Sequence, residues 1–231
     1  MSTSPTLLAE AFDRHQTGGF EEAESLYRRI LAGEPDAVEA LHRYGLLVAQ
    51  LGRLEEADRW LARALALEPA LETGAVEAAV NHAKILRALR RPEDAARRFR
   101  HALVLAPALP TAFEGLGHAE REGDDGAAAA GAYRRAALLG AGAAVLHQWG
   151  IALDGIGRLD EAADALRRSA HLDPSVPSVA VRLAGVLYRL GRGGEAAGWY
   201  RHALKLQPGR SELRAVLSDI AAPHPSLPPE T

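Results

Sequence analysis

Gly52-Arg53-Leu54-Glu55-Glu56-Ala57 returns almost unchanged as Gly157-Arg158-Leu159-Asp160-Glu161-Ala162. Two looser copies flank these, Gly18-Gly19-Phe20-Glu21-Glu22-Ala23 and Gly191-Arg192-Gly193-Gly194-Glu195-Ala196, and the stretches after them close on Pro35, Pro69, Pro174 and Pro208. The last alanine of the motif marks a period. Ala23, Ala57, Ala95, Ala129, Ala162 and Ala196 are 34, 38, 34, 33 and 34 residues apart. Four residues beyond each stands Tyr27, Leu61, Phe99, Tyr133, Leu166 or Tyr200; three further on come Ile30, Ala64, Ala102, Ala136, Ser169 and Ala203. Steps of four and three share one face of an α-helix, so each period contains a helix with a small-large-small stripe.

Upstream of that helix lies another. Leu41-His42-Arg43-Tyr44-Gly45, Phe113-Glu114-Gly115-Leu116-Gly117 and Leu146-His147-Gln148-Trp149-Gly150 combine bulky residues with a glycine at one place in the period. A unit of about 34 residues with two helices, this signature and a closing proline resembles the tetratricopeptide repeat. The resemblance implies an all-α, right-handed α-solenoid (superhelix) of six helical hairpins, at 4–37, 38–71, 76–109, 110–142, 143–176 and 177–210. Leu213, Val216, Leu217 and Ile220 predict a capping helix over 211–221, and the proline-rich residues 222–231 are expected to be a disordered tail.

Local chemistry supports the hairpins. Gly18, Gly52, Gly157 and Gly191 end first helices where a positive φ is needed. Second helices open on acids such as Glu55-Glu56 and are expected to close on bases such as Arg28-Arg29, Arg100-His101 and Arg167-Arg168, complementing the helix dipole. The third repeat departs with Arg90-Arg91-Pro92 at the turn. The fourth lacks the closing proline and carries Ala127 to Ala130 with Gly131, making it the expected weakest interior repeat. Four residues inserted around Ala70 to Thr73 are expected to lengthen the next helix by about one turn, with Thr73 as its cap.

Composition bounds the function. A 231-residue chain with 48% apolar and 25% charged residues is globular, and a net charge of −3 provides no general field for nucleic acid or anionic lipid. The absence of cysteine removes disulfides, thiolate metal sites and cysteine nucleophiles. The nine histidines form no His-Glu-x-x-His pair, and phosphate-loop and nucleophile-elbow motifs are missing. No metal, cofactor or catalytic residue is therefore expected. With no run of about 18 apolar residues and no signal-peptide pattern, the chain reads as cytoplasmic without membrane insertion. Two lysines among the 27 basic residues suggest a GC-rich bacterial genome.

The resemblance places the first helices of the hairpins along a concave groove, with slots two, five, six, nine, twelve and thirteen facing inward. Those slots hold Arg43, Asn81, Lys84, Arg87, His118, Arg121, His147, Gln148, Arg182 and Tyr188, the candidate partner-binding residues. A helix face exposed to water is polar in any case, so polarity alone assigns none of them. Clustering says more: Asn81, Lys84 and Arg87 share a face at three-residue spacing, with Arg121 expected beside them. Arginine forks suit carboxylates and an asparagine amide suits a peptide backbone. The expected ligand is another protein or an extended peptide segment bearing acidic side chains or a free carboxylate. The alternative is a regulatory or substrate-recruiting subunit of a separately encoded enzyme, such as a glycosyltransferase.

Overall fold

The computed structural model describes residues 4–67, 73–140 and 142–221, and every regular element among them is an α-helix. The chain divides into two compact units, Met1–Asp125 and Gly126–Thr231. The N-terminal unit contains α1 (Ser4–Gln16), α2 (Phe20–Gly33), α3 (Val38–Gln50), α4 (Leu54–Leu67), α5 (Thr73–Ala88), α6 (Pro92–Leu105) and α7 (Pro110–Glu122). There α1–α2, α3–α4 and α5–α6 pack as hairpins and α7 lies on α6. The C-terminal unit contains α8 (Gly126–Leu138), α9 (Ala143–Gly155), α10 (Leu159–Leu172), α11 (Pro177–Arg189), α12 (Gly193–Leu206) and α13 (Ser211–Ala221). Its hairpins are α9–α10 and α11–α12, with α8 against α9 and α13 closing on α12 through buried Leu213. The tail at 222–231, and Pro69 and Ala70 to Glu72 of the insertion, lie outside the described residues. Beyond them α5 runs for 16 residues where α3, α7, α9 and α11 each have 13, and Thr73 is its first residue.

The turns explain why the motif begins with glycine. Gly18, Gly52, Gly157 and Gly191 have φ between 74° and 83°. That geometry lets the next amide reach back to a carbonyl five residues earlier, as Arg53 N does to Val48 O and Arg158 N to Leu153 O, both at 2.9 Å. The repeats without a glycine keep the geometry. Arg90 takes φ 60° and Asp124 φ 62°, and Arg91 N still reaches Leu86 O at 2.9 Å. A left-handed residue with a Cβ is strained, aspartate less so than arginine. Arg90→Gly is therefore expected to stabilise the N-terminal unit by about 1 kcal/mol. Urea denaturation measures it, and an unchanged or lower midpoint would refute the strain.

The small-large stripe is a packing device. Ala23, Ala57, Ala95, Ala129, Ala162 and Ala196 are all fully buried, as are Tyr27, Leu61, Tyr133 and Leu166. Glycines on the first helices make room for the large residues: a Cβ on Gly45 would stand 2.8 Å from Leu61 Cγ, and one on Gly150 2.6 Å from Leu166 Cγ. The helix ends required a correction. Arg28-Arg29, Arg100-His101 and Arg167-Arg168 sit a turn before the end, and the last turns of α2, α4 and α6 hold no base. These arginines instead bind neighbouring elements. Arg28 donates to Tyr44 Oη at 2.8 Å, Arg100 pairs with Glu120 on α7, and Arg167 reaches Glu195 on α12 at 3.1 Å.

Candidate functional site

In the N-terminal unit the candidates come from α3, α5 and α7. Their first-helix slots recur every period, so the period itself gathers them on one face. Lys84 and Arg121 are exposed and form no ion pair among the described residues. Arg87 is different: its guanidinium forks onto Glu122, Nε to Oε2 at 2.9 Å with Nη2 on the other oxygen. That pairing holds the Glu122 carboxyl below the ordinary carboxylate range. The expected trio of free cations is thus two cations beside a neutralised pair. His118 lies against this group, 3.8 Å from Glu114, and burial reinforced by the charge of Arg87 lowers its pKa.

Asn81 and Arg43 belong to a neighbouring patch. Asn81 Nδ2 is 3.5 Å from His42 Nε2, and burial lowers the pKa of that imidazole. Arg43 donates to Glu39 at 2.5 Å while its guanidinium carbon stands 3.8 Å above the Phe12 ring. His42, Arg43 and Glu39 border a cavity of about 500 Å³ lined by α1, α3 and α5, and Asn81 is not among its lining residues. Arg43 is therefore built into a wall, where the slot pattern predicted a free groove cation.

The C-terminal unit holds a separate cluster on α9 and α11. Asp154 is almost buried and accepts from two arginines, Arg182 Nη1 at 3.3 Å and Arg189 Nη1. Together with Arg210, Ser178 and Tyr200 they line a cavity of about 410 Å³. Tyr188 is about half exposed and lines a different hollow, beside α12 and α13. His147 is half-buried; burial, then the charge of Arg182, lowers its pKa. Gln148 is half-buried on the same helix.

Sequence reading missed Glu122, the pairing of Asp154 with Arg182 and Arg189, and the Phe12–Glu39 wall. A signal existed. His15 with Gln50, Arg87 with Glu122 and Asp154 with Arg189 are all 35 residues apart. One period plus one residue joins the end of one first helix to the end of the next.

Among the described residues, no three His, Asp or Glu side chains gather to hold a metal, and no helix is long and apolar enough to cross a membrane. No curated protein matches the chain. Among solved structures it is similar to YrrB, described as a tetratricopeptide repeat protein with an unusual peptide-binding site (18% identity, 83% of this chain and 97% of that one, TM-score 0.71). It is also similar to PilF of Pseudomonas aeruginosa (18% identity, 94% and 97% coverage, TM-score 0.69) and to MamA (22% identity, 73% and 96% coverage, TM-score 0.67). At such identities these likenesses establish the fold alone. The tetratricopeptide repeat family model matches residues 8–78 and 147–211, more than half of the sequence. With those matches on top of the hairpins, the left-handed turns and the small-large packing stripe, the chain belongs to the tetratricopeptide repeat family.

Proposed function

We propose that this protein is a non-catalytic adaptor whose first-helix face holds an extended segment of a partner protein bearing acidic side chains or a free carboxylate. Tetratricopeptide repeats are generally non-catalytic and bind peptides or proteins. The observation that carries the acidic preference is Lys84 and Arg121, two exposed cations that form no ion pair among the described residues, near the Arg87–Glu122 pair. In the C-terminal unit Arg182 and Arg189 each use one donor on Asp154, leaving the other N–H groups of both forks for a carboxylate.

The test begins with affinity purification of the full chain and identification of the protein that co-purifies. Lys84→Ala with Arg121→Ala is then expected to weaken that partner by about tenfold, with helicity unchanged, and binding should fall as salt rises. Adding Arg87→Ala should weaken it further, because Glu122 is left as an uncompensated negative charge. Undiminished binding by the triple variant would move the interface to another surface. A modifying activity in the purified partner, altered when this chain is added, would assign the regulatory-subunit role.

A further inference from the structure

The C-terminal unit carries a hollow of about 610 Å³ between α9, α10 and α12. Leu146 lies at its base, 2% exposed, while Leu172 at the end of α10 is 60% exposed beside the half-buried indole of Trp199. Arg167, Arg168 and His171 line it as well, and no carboxylate is among the lining residues. Asp164 and Glu195 pair with Arg167, each at 3.1 Å, and Asp173 accepts from Ser175. Arg167 is thus compensated. Arg168 is not: its guanidinium carbon stands 6.0 Å from the Trp149 centroid, the outer limit of a cation–π contact, and it makes no ion pair or hydrogen bond among the described residues. His171 is exposed and likewise unpaired among them.

Trp60 occupies the same slot in its repeat and has its partners. Both tryptophans stand three residues after the motif alanine and four after a glutamate. Trp60 Nε1 donates to Glu56 at 3.2 Å, and its ring centroid lies 5.2 Å from that of Tyr44. At Trp199 the corresponding Glu195 is drawn onto Arg192 and Arg167, and Leu183 stands where Tyr44 would be. The Trp199 ring packs T-shaped against His202, and its N–H has no acceptor among the described residues.

We infer that this hollow is a second docking site, which takes a large apolar side chain of a partner protein against Leu172 and Trp199 and a nearby carboxylate of the same segment on Arg168. Charge complementarity selects the occupant: apolar walls accept any hydrophobic side chain, while unpaired basic groups beside them favour an adjacent acid and reject a base. Arg168 and Leu172 are four residues apart on α10, roughly 6 Å at the helical rise. Two residues of extended chain cover about the same length. The segment therefore carries its acid two positions from the apolar residue. This site belongs to second helices and stands or falls separately from the first-helix reading.

The probe is a blocked peptide with an acid on either side, acetyl-Gly-Glu-Ser-Phe-Ser-Glu-Gly-amide, titrated into the full chain. The three tryptophans give three indole N–H resonances, and the one lost in Trp199→Phe is the reporter. Saturable movement of the Trp199 indole and the Leu172 amide is expected. Alanine in place of the phenylalanine should weaken binding about tenfold, and glutamine in place of both glutamates about fivefold. Arg168→Gln should weaken the glutamate peptide about fivefold and leave the glutamine peptide unchanged. Leu172→Ser, at an exposed position, should weaken both peptides with the melting temperature unchanged. No movement at Trp199, equal binding of the glutamate and glutamine peptides, or undiminished binding by Arg168→Gln overturns the site. Shifts confined to the Lys84 and Arg121 amides overturn it too, while supporting the first-helix reading. If Trp199 and Leu172 shift with protein concentration alone, and Leu172→Ser keeps the chain monomeric in sedimentation, a second copy fills the hollow and the partner assignment fails.

Discussion

Replacing Gly115 by alanine is expected to destabilise the N-terminal unit by roughly 1–3 kcal/mol, although the same exchange in an open helix position stabilises by about 1 kcal/mol. The sign is set by packing. An alanine Cβ at Gly115 would stand 2.3 Å from Cε1 and Cζ of Phe99, a ring that is 1% exposed. Something must shift, and α6 and α7 move apart or the ring leaves its rotamer. Shortening the obstacle should reverse the effect, so Phe99→Leu in the Gly115→Ala background is expected to recover part of the loss. Gly131 is the internal control. It sits in α8 with nothing among the described residues within 4 Å of an added methyl, so Gly131→Ala should gain about 1 kcal/mol from helix propensity alone. Urea denaturation and amide exchange on the three variants measure this. A Gly115→Ala protein as stable as its parent would refute the close approach.

Asp58→Ala is expected to cost about 1–3 kcal/mol, the penalty of stranding a buried donor. Asp58 on α4 accepts from His82 Nε2 on α5 at 2.6 Å and from Arg91, just before α6, at 2.7 Å. His82 is 2% exposed and its Nδ1 already lacks a partner among the described residues, so the substitution leaves the imidazole unpaired among them. Burial, opposed by the bond to Asp58, holds the His82 pKa below its ordinary 6.5. The unfolded chain therefore takes up protons first as pH falls through 6.5, and the folded state loses stability from there down to the folded pKa. His42, His118 and His147 are displaced the same way, each mainly by burial, and add to the loss. The lowered carboxylates Glu24, Glu56 and Glu122 act in another window. Their stabilisation is complete above their ordinary 4.5 and is lost only below it. The fall between pH 6.5 and 4.5 thus reports the histidines. In Asp58→Ala it should extend to lower pH, because the bond that raised the His82 pKa is gone. Denaturation midpoints at pH 7.5 and 5.5 check this, and equal midpoints in the parent would contradict it.

Everything set by short-range periodicity is legible in the amino-acid order. Steps of three and four place Ala57, Leu61 and Ala64 on one helix face, and the 34-residue period repeats that face along the chain. Gly18, Gly52, Gly157 and Gly191 announce left-handed turns, because only glycine adopts them without strain. Even the repeats lacking the glycine keep the turn, with Arg90 and Asp124 at φ 60° and 62°. Position along a slot, however, says nothing about what else reaches it. Arg87 is a groove cation by slot, and only the packing of α7 against its neighbours brings Glu122 onto it. Arg43 is another, and only the approach of α1 lays Phe12 beneath its guanidinium. Buried His82 finds its partner Asp58 24 residues away on another helix. Charge at a binding face depends on long side chains from different hairpins meeting, through distances that no local pattern encodes. Only the tertiary structure shows that, among the described residues, Arg43 and Arg87 are paired while Lys84 and Arg121 form no ion pair.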